Sequence, residues 1–578
     1  MHVSQLFTKT SKTIPSDEVS KNAQLLIRAG YIYKEMAGVY TYLPLGLRVL
    51  NNITDIIREE MDAIGGQELL MPALQIPERY ELTNRWDDKV VDNWFKTKLA
   101  NGTELGLGFS HEENISPIVK DFLASYKDLP IAPYQIQTKF RNELRSKSGI
   151  MRGREFLMKD MYSFALTQAQ HDEFYEKCKQ AYLKIFERAG IGDQTVVVLA
   201  SGGSFSKYSH EFQTFSEAGE DLIFKTSDGV YHNREIAPSR VGKPNDKEEP
   251  AEYKEVEGKG VIGVEALTKQ FNIPIEKSTK TLIYSTDTGE HIIAAVRSDY
   301  GVNEIKLSEA AGCQSVRFAS EDEVKKLTGA EIGYAGLVNL PKDIRVFLDD
   351  SLEGLCNFET GVNKSHYHSI NVNFGRDVAI PEKFYDIKEA NAGDRDPTTG
   401  EVMEVKKAIE TGNIFSLGTK FSAPFDLTVD DPMTGERVTV IMGCYGIGLG
   451  RLMGTIVELL SDEKGIIWPE SIAPYQIYLA PITKAGEEGK VSAIANNIYE
   501  QLTRAGIGVL YDDREVRAGE KFADADLLGI PYRVVISDKT VASDRIEVKA
   551  RTAQDPEYLT RQELMQKFGI REESLADA

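Results

Sequence analysis

One stretch constrains the fold more than any other: Gly443 to Arg451, GCYGIGLGR, where an apolar run, RVTVIM, gives way to the helical pattern LGRLMGTIVELL. The stretch reads as strand, tight turn, helix. Glycines at such a junction let backbone approach a ligand closely. A dinucleotide fingerprint needs GxGxxG and an acid about 20 residues on, whereas the spacing here is G-x-G-x-G-R. No GxxxxGK[ST] phosphate loop occurs either. An arginine opening a helix after glycines can hold a terminal phosphate; the same spacing also serves tight strand–helix packing.

A second stretch, FRNELRSKSGIMRGREFLMKDMYSF, residues 140–164, reads as two strands around a cationic, glycine-containing gap. Arg141 and Glu143 share a strand face. A bidentate arginine suits a carboxylate or phosphate. Glu143 could orient a base or hold Mg²⁺, and Phe156 offers a plane for stacking a nucleobase. The arginines between, Arg152 among them, could meet further phosphates. Taken alone, the stretch is equally a surface hairpin with solvated charges.

The rest of the chain supplies context. Ser16 is placed to cap a helix from Asp17 to Ala29-Gly30. PLGLRVLNNITDIIREEMDAIGG predicts an amphipathic helix over 44–64, with Pro44 in its first turn and Leu50, Ile53, Ile57, Met61 and Ile64 on one face. QELLMPAL reads as a strand stopped at Pro72. Between about 225 and 407 the texture changes, from the charged connector NDKEEPAEYKEVEGKG to the loop NAGDRDPTTG, which suggests an inserted domain. From about 472, YQIYLAPI, VSAIANNIYEQLTRAG, IGVLYDD and PYRVVI alternate strand and helix as a small α/β domain does.

Composition narrows the function classes. A net charge of −21 excludes a global polycation, so any nucleic-acid contact must use a local basic surface. Four scattered cysteines, without a CxxC pair, argue against a disulfide framework and a structural zinc cluster. No 18-residue apolar run occurs and the start has no apolar signal core, so a cytoplasmic enzyme is expected.

Together, the long helix with its strand, the Phe-Arg-x-Glu and the glycine turn closing on Arg451 resemble the three signature motifs of class II aminoacyl-tRNA synthetases. AGVYTYLPLGLRV, FSHEEN, REFLMKDMYSF, YSHEFQTFSEAGED, GTKFS, MGCYGIGLGR and GIIWPESIAP resemble the bacterial-type prolyl branch in order along essentially the whole chain. The resemblance implies an α+β/α/β multidomain fold. It has an antiparallel-sheet catalytic core (1–224 and 408–471), an inserted α+β editing domain (225–407) and a C-terminal α/β anticodon-binding domain (472–578). It implies ATP and Mg²⁺ without zinc, L-proline and tRNA(Pro) as partners, and a homodimer through the helix at 44–64.

By the same resemblance Arg141 holds the substrate carboxylate and α-phosphate, Glu143 the adenine or a metal, Phe156 the adenine face, and Arg451 the γ-phosphate. Glu112 would meet the secondary ammonium of proline beside Ser110, which replaces the usual Thr. Cys444 corresponds to a family cysteine near that pocket, and equally reads as a small buried apolar side chain. Asn413 stands where the family commonly has His.

The insertion answers a discrimination problem. A missing methylene is worth only about 1–3 kcal/mol, so alanine and cysteine enter a proline pocket. The resemblance assigns the insertion to hydrolysis of mischarged alanyl-tRNA and matches Lys280 in STKTLIY and His368 in SHYHSINVNFGRD. It also matches Gly333 in GYAGL, where Leu337 replaces the family's Pro. Two alternatives are distinguishable. A threonyl enzyme would supply a Cys/His/His zinc set, and only eight histidines are present. A non-catalytic relative often lacks one of the two motif arginines, and both are here.

Overall fold

The computed structural model describes residues 1–144, 148–203, 205–206, 208–242, 248–341, 343–483 and 489–570. The centre of the cationic gap (145–147), part of the charged connector (243–247) and the last eight residues lie outside them. Two compact units partition the chain: residues 1–196, 211–218 and 409–578 in the first, and 197–210 and 219–408 in the second.

The first unit is built on a mostly antiparallel sheet. Helix α1 is Lys21–Arg28. It starts later than the sequence suggests, because Glu18 is drawn into a buried ion pair with Lys34 and residues 16–19 turn instead. Helix α2, Pro44–Ala63, has proline in its first turn and buries Leu45, Val49, Leu50, Ile53, Ile57 and Met61. Strand β1, Gly66–Glu68, stops short of Pro72. Beyond it the side chain of Gln135 accepts from Met71 N–H and that of Gln137 donates to the Met71 carbonyl, taking over from the ladder. Helix α3 is Glu112–Phe122, strands β2 and β3 are Ala132–Phe140 and Glu155–Ala165, and helix α4 is Gln168–Arg188. Strand β4, Glu404–Gly418, begins in the second unit and ends in the first. Strand β5, Ile441–Gly448, passes directly into helix α5, Leu449–Leu459, so the expected tight turn is absent.

The strand order in the first unit is β1-β2-β3-β5-β4, with β1 parallel to β2 and the rest antiparallel. Alternation splits side chains between two faces. Lys159, Met161 and Tyr445 face the helices: the Lys159 ammonium donates to Tyr182 of α4 (2.5 Å) and to the Tyr445 carbonyl (3.1 Å). Burial pushes its pKa down to about 8. Lys139, Phe156, Met158, Asp160, Tyr162, Cys444, Gly446 and Asn413 share the other face through the registers Lys139↔Phe156, Asp160↔Gly446, Tyr162↔Cys444 and Asn413↔Gly446. Glycines at 446 and 448 leave that face open.

The C-terminal part of this unit has a five-stranded sheet whose core includes Ile477, Leu479, Val509, Val534, Ile536 and Val548, packed by Ile498, Leu502 and Leu564 from helices.

In the second unit a four-stranded sheet has the order Val316–Phe318, Thr279–Thr286, His291–Arg297, Arg345–Leu348. A three-stranded sheet runs Lys254–Glu257, Tyr367–Val372, Phe358–Gly361. Among the described residues no helix is long and apolar enough to cross a membrane.

Candidate active site and a second pocket

The open sheet face of the first unit gathers most of the residues singled out by sequence. Glu112, the first residue of α3, is fully buried. Its Oε2 accepts from Ser110 Oγ (2.5 Å) and Arg85 Nη1 (3.1 Å), and its Oε1 accepts from the Cys444 thiol (3.3 Å). Burial alone would raise this carboxyl, but the Arg85 charge and the Ser110 hydroxyl hold it below its ordinary value. The Cys444 thiol is pushed well up by burial and by Glu112, so it stays a neutral donor.

Beneath Glu112 lies a buried polar cluster that sequence reasoning missed. The Lys139 ammonium donates to Asp160 (2.8 Å) and to His111 Nδ1 (2.7 Å). The other ring nitrogen, Nε2, lies 3.0 Å from the Pro72 carbonyl. A carbonyl can only accept, so Nε2 carries the proton and the ring is neutral. Burial, then the Lys139 charge, push the His111 pKa down to about 4. The Tyr162 hydroxyl donates to Asp160 and accepts from the His111 backbone N–H. This cluster fixes the backbone on which Ser110 and Glu112 sit.

Arg141 is placed for an anion. Its guanidinium lies against the rings of Phe109 (4.9 Å) and Phe156 (5.6 Å), and its Nε is buried with no hydrogen-bond partner among the described residues. Burial and the charge of Arg451 lower its pKa, so the two arginines act on one region. Such a crowded pair of cations favours a polyanion between them. Glu143 accepts from Arg152 (3.0 Å) at Oε2. Arg451 pairs with Glu410 (2.7 Å) and also donates to the Met151 carbonyl. Asn413 donates to Glu410 (2.9 Å), while its own Oδ1 is buried without a partner among the described residues. No group of three or more His, Cys, Asp or Glu is placed to hold a metal among the described residues. Two separate carboxylates, Glu143 and Glu410, fit an ion held chiefly by phosphate oxygens.

In the second unit, Lys280, Gly333 and His368 line one cavity of about 330 Å³. His368 is buried, with Nδ1 3.1 Å from Glu359 and Nε2 3.0 Å from the Val261 carbonyl. Gly333 has φ +95°, where a side chain is strained, and a Cβ there would strike Ile262. Alternation along the strand sends Thr279 and Thr281 to one face; both hydroxyls are buried without partners among the described residues, and both residues line the cavity. Lys280 takes the other face, where its ammonium donates to the Tyr300 carbonyl (2.7 Å). Leu337 is buried in an apolar cluster with Leu348 and Phe358.

Arg85, Phe109, Glu113 and Glu410 had no individual signal. Glu113 adjoins a residue already selected, and Glu410 lies three before Asn413; Arg85 is 27 residues from Glu112 and nothing local marks it.

Comparison with known proteins follows the same lines. The tRNA synthetase class II core domain (G, H, P, S and T) matches residues 95–459, and the anticodon binding domain matches residues 476–571. The chain is 41% identical over 563 residues to the proline--tRNA ligase of Geobacter sp. (strain M21), covering 97% of each. It is 38% identical over 571 residues to that of Listeria innocua, covering 99% of each. The fold is similar to that of Giardia lamblia prolyl-tRNA synthetase in complex with prolyl-adenylate: TM-score 0.57, 14% identity, 94% of this chain and 75% of that one.

Proposed function

This chain belongs to the class II aminoacyl-tRNA synthetases as a proline–tRNA ligase of the type found in bacteria, and from that premise we propose how its residues carry out the reaction. It activates proline with ATP to prolyl-adenylate and pyrophosphate, then transfers prolyl to tRNA. In the first step a carboxylate oxygen of proline attacks the α-phosphorus, and the bond to the bridging oxygen of pyrophosphate breaks.

Little covalent work falls to the protein; positioning and charge neutralisation carry the rate. Glu112 receives the secondary ammonium at Oε1, which accepts only from the Cys444 thiol among the described residues, whereas Oε2 already serves Arg85 and Ser110. Arg141 neutralises the carboxylate and α-phosphate, Phe156 carries the adenine, and Arg152 and Arg451 take outer phosphates. When bound, Mg²⁺ adds charge neutralisation on the phosphates, and Glu143 and Glu410 are the residues to hold it. The observation carrying this reading is the buried Glu112, held below its ordinary pKa, within electrostatic reach of an arginine whose buried Nε has no partner among the described residues.

The same reading divides the chain into catalytic (1–224, 408–471), editing (225–407) and anticodon-binding (472–578) domains. Alanyl-tRNA is hydrolysed in the second unit's cavity, with His368, Thr279 and Thr281 facing the aminoacyl ester. The protein acts in the cytoplasm as a homodimer. Leu70 (73% exposed), Leu74 (54%) and Phe122 (85%) support that assembly as large apolar side chains left in solvent.

The test is ATP–pyrophosphate exchange across all twenty amino acids, with wild type beside Arg141→Ala. Strong exchange with proline, lost in the variant, is expected. Strong exchange with another amino acid would overturn the proline assignment, and an active Arg141→Ala would overturn the role of Arg141.

A further inference from the structure

Glu112 does not stand alone. Arg85 Nη1 lies 3.1 Å from Glu112 Oε2 and 3.1 Å from each oxygen of Glu113, and all three side chains are buried. The guanidinium also lies near the rings of Phe109 (5.8 Å) and Phe421 (5.3 Å) and is equidistant from the two carboxylates. Thr83 Oγ1 donates to Glu113 (2.7 Å). The other titratable groups that act on Glu113 are Tyr80, fully buried and neutral, and Lys420, exposed at the rim. Arg85 is the cation in direct contact with both carboxylates; the buried Lys139 and Arg141 act on Glu112 from farther off, which leaves Glu113 to Arg85. Burying two such charges against a single partner leaves one of them short of compensation.

We propose that Glu113 is the charge-balancing residue and Arg85 the positioning residue of the proline pocket. The empty pocket keeps a proton on Glu113, and the arriving secondary ammonium replaces that proton as the second positive charge. This rests on the reading of Glu112 as the carboxylate that meets proline. The balance is simple: proline enters with its ammonium intact, the Glu113 O–H bond breaks, and the proton leaves to solvent. Burial and the neighbouring Glu112 charge raise the Glu113 carboxyl above its ordinary value, while Arg85 lowers it; the net direction is up, opposite to Glu112. The pair titrates as a unit.

The sign follows from linkage. Binding that releases a proton strengthens as pH rises, so the proline KM falls by about tenfold per pH unit below the Glu113 titration and levels off above it. The experiment measures proline binding by calorimetry in buffers of differing ionisation enthalpy, and KM against pH by pyrophosphate exchange. Wild type, Glu112→Gln, Glu113→Gln and Glu113→Asp are compared. The expected result is proton release on binding to wild type and Glu113→Asp, but not to Glu113→Gln. Glu113→Gln should also raise the proline KM about tenfold, independent of pH, with the ATP KM unchanged. Tetrahydrofuran-2-carboxylate, the same ring without the ammonium, should release no proton. Glu112→Gln that weakens proline, beside a wild type that releases no proton, would overturn the inference alone. Glu112→Gln that binds proline normally would overturn the underlying reading and this inference with it.

Discussion

Gly446 and Gly443 sit on one strand and face opposite sides of the sheet, so replacing each with alanine separates ligand space from folding space. A Cβ on Gly446 would meet nothing closer than Met158 Sδ at 3.8 Å, an ordinary contact. Its φ is not in the left-handed region. The substitution should cost the fold nothing, and by restricting the unfolded chain it should stabilise by about 0.4–1 kcal/mol. The added methyl projects into the open face between Asp160 and Asn413, where substrates are proposed to lie. Filling space a ligand needs costs about 1–3 kcal/mol, or roughly 5–150-fold in KM for ATP or proline. A Cβ on Gly443 would instead meet Tyr445 Oη at 2.4 Å and Ser163 Oγ at 2.7 Å, on the helix-covered face. That substitution should lower stability with a smaller effect on KM in the folded fraction. Urea unfolding and pyrophosphate exchange on the same samples read both. Wild-type kinetics in a stable Gly446→Ala would refute the assignment of this face to the substrates.

Further outcomes follow from other sites. Lys159 has a folded pKa of about 8 against an ordinary 10.5, so the unfolded state binds more protons between those values. Wild-type stability should then rise relative to Lys159→Met by about 3 kcal/mol across that window; urea unfolding at stepped pH measures it, and parallel curves would contradict it. His368→Ala should lose hydrolysis of alanyl-tRNA while keeping proline-dependent exchange, and deacylation at the wild-type rate would remove His368 from the editing role. Leu70→Glu with Phe122→Glu should convert a dimer to a monomer by light scattering; an unchanged mass would place the contact elsewhere.

Much of this was legible in the sequence because it is local. Arg141 and Glu143 follow directly on the end of β2 and Phe156 stands at the start of β3, although 141–143 do not continue the strand as expected; the Gly443-to-Arg451 run states its strand and helix directly. Ser110 and Glu112 are two apart. What the sequence hid depends on register and on partner choice. Lys139 and Asp160 meet because β2 pairs β3 in one alignment, and His111 joins them from the residue preceding α3. Arg85 acquires its meaning from two carboxylates distant in sequence. Lys280 lines the second cavity as the sequence suggested, with its ammonium bonded to the Tyr300 carbonyl, and the neighbouring Thr279 and Thr281, which line the same cavity, carried no signal. Helix α1 was misplaced at its start for a similar reason: Glu18 has a tertiary partner in Lys34 that no local rule anticipates.

The ring of Phe109 is within reach of both Arg85 (5.8 Å) and Arg141 (4.9 Å). On the proposed reading the amino-acid subsite and the phosphate subsite would then share one aromatic ring as a common neighbour. On that reading, position 109 would couple amino-acid choice to nucleotide use: a change of ring that retuned one would be felt by the other. For inhibitor chemistry, the same ring marks where a compound joining a proline mimic to a nucleotide mimic would have its linker.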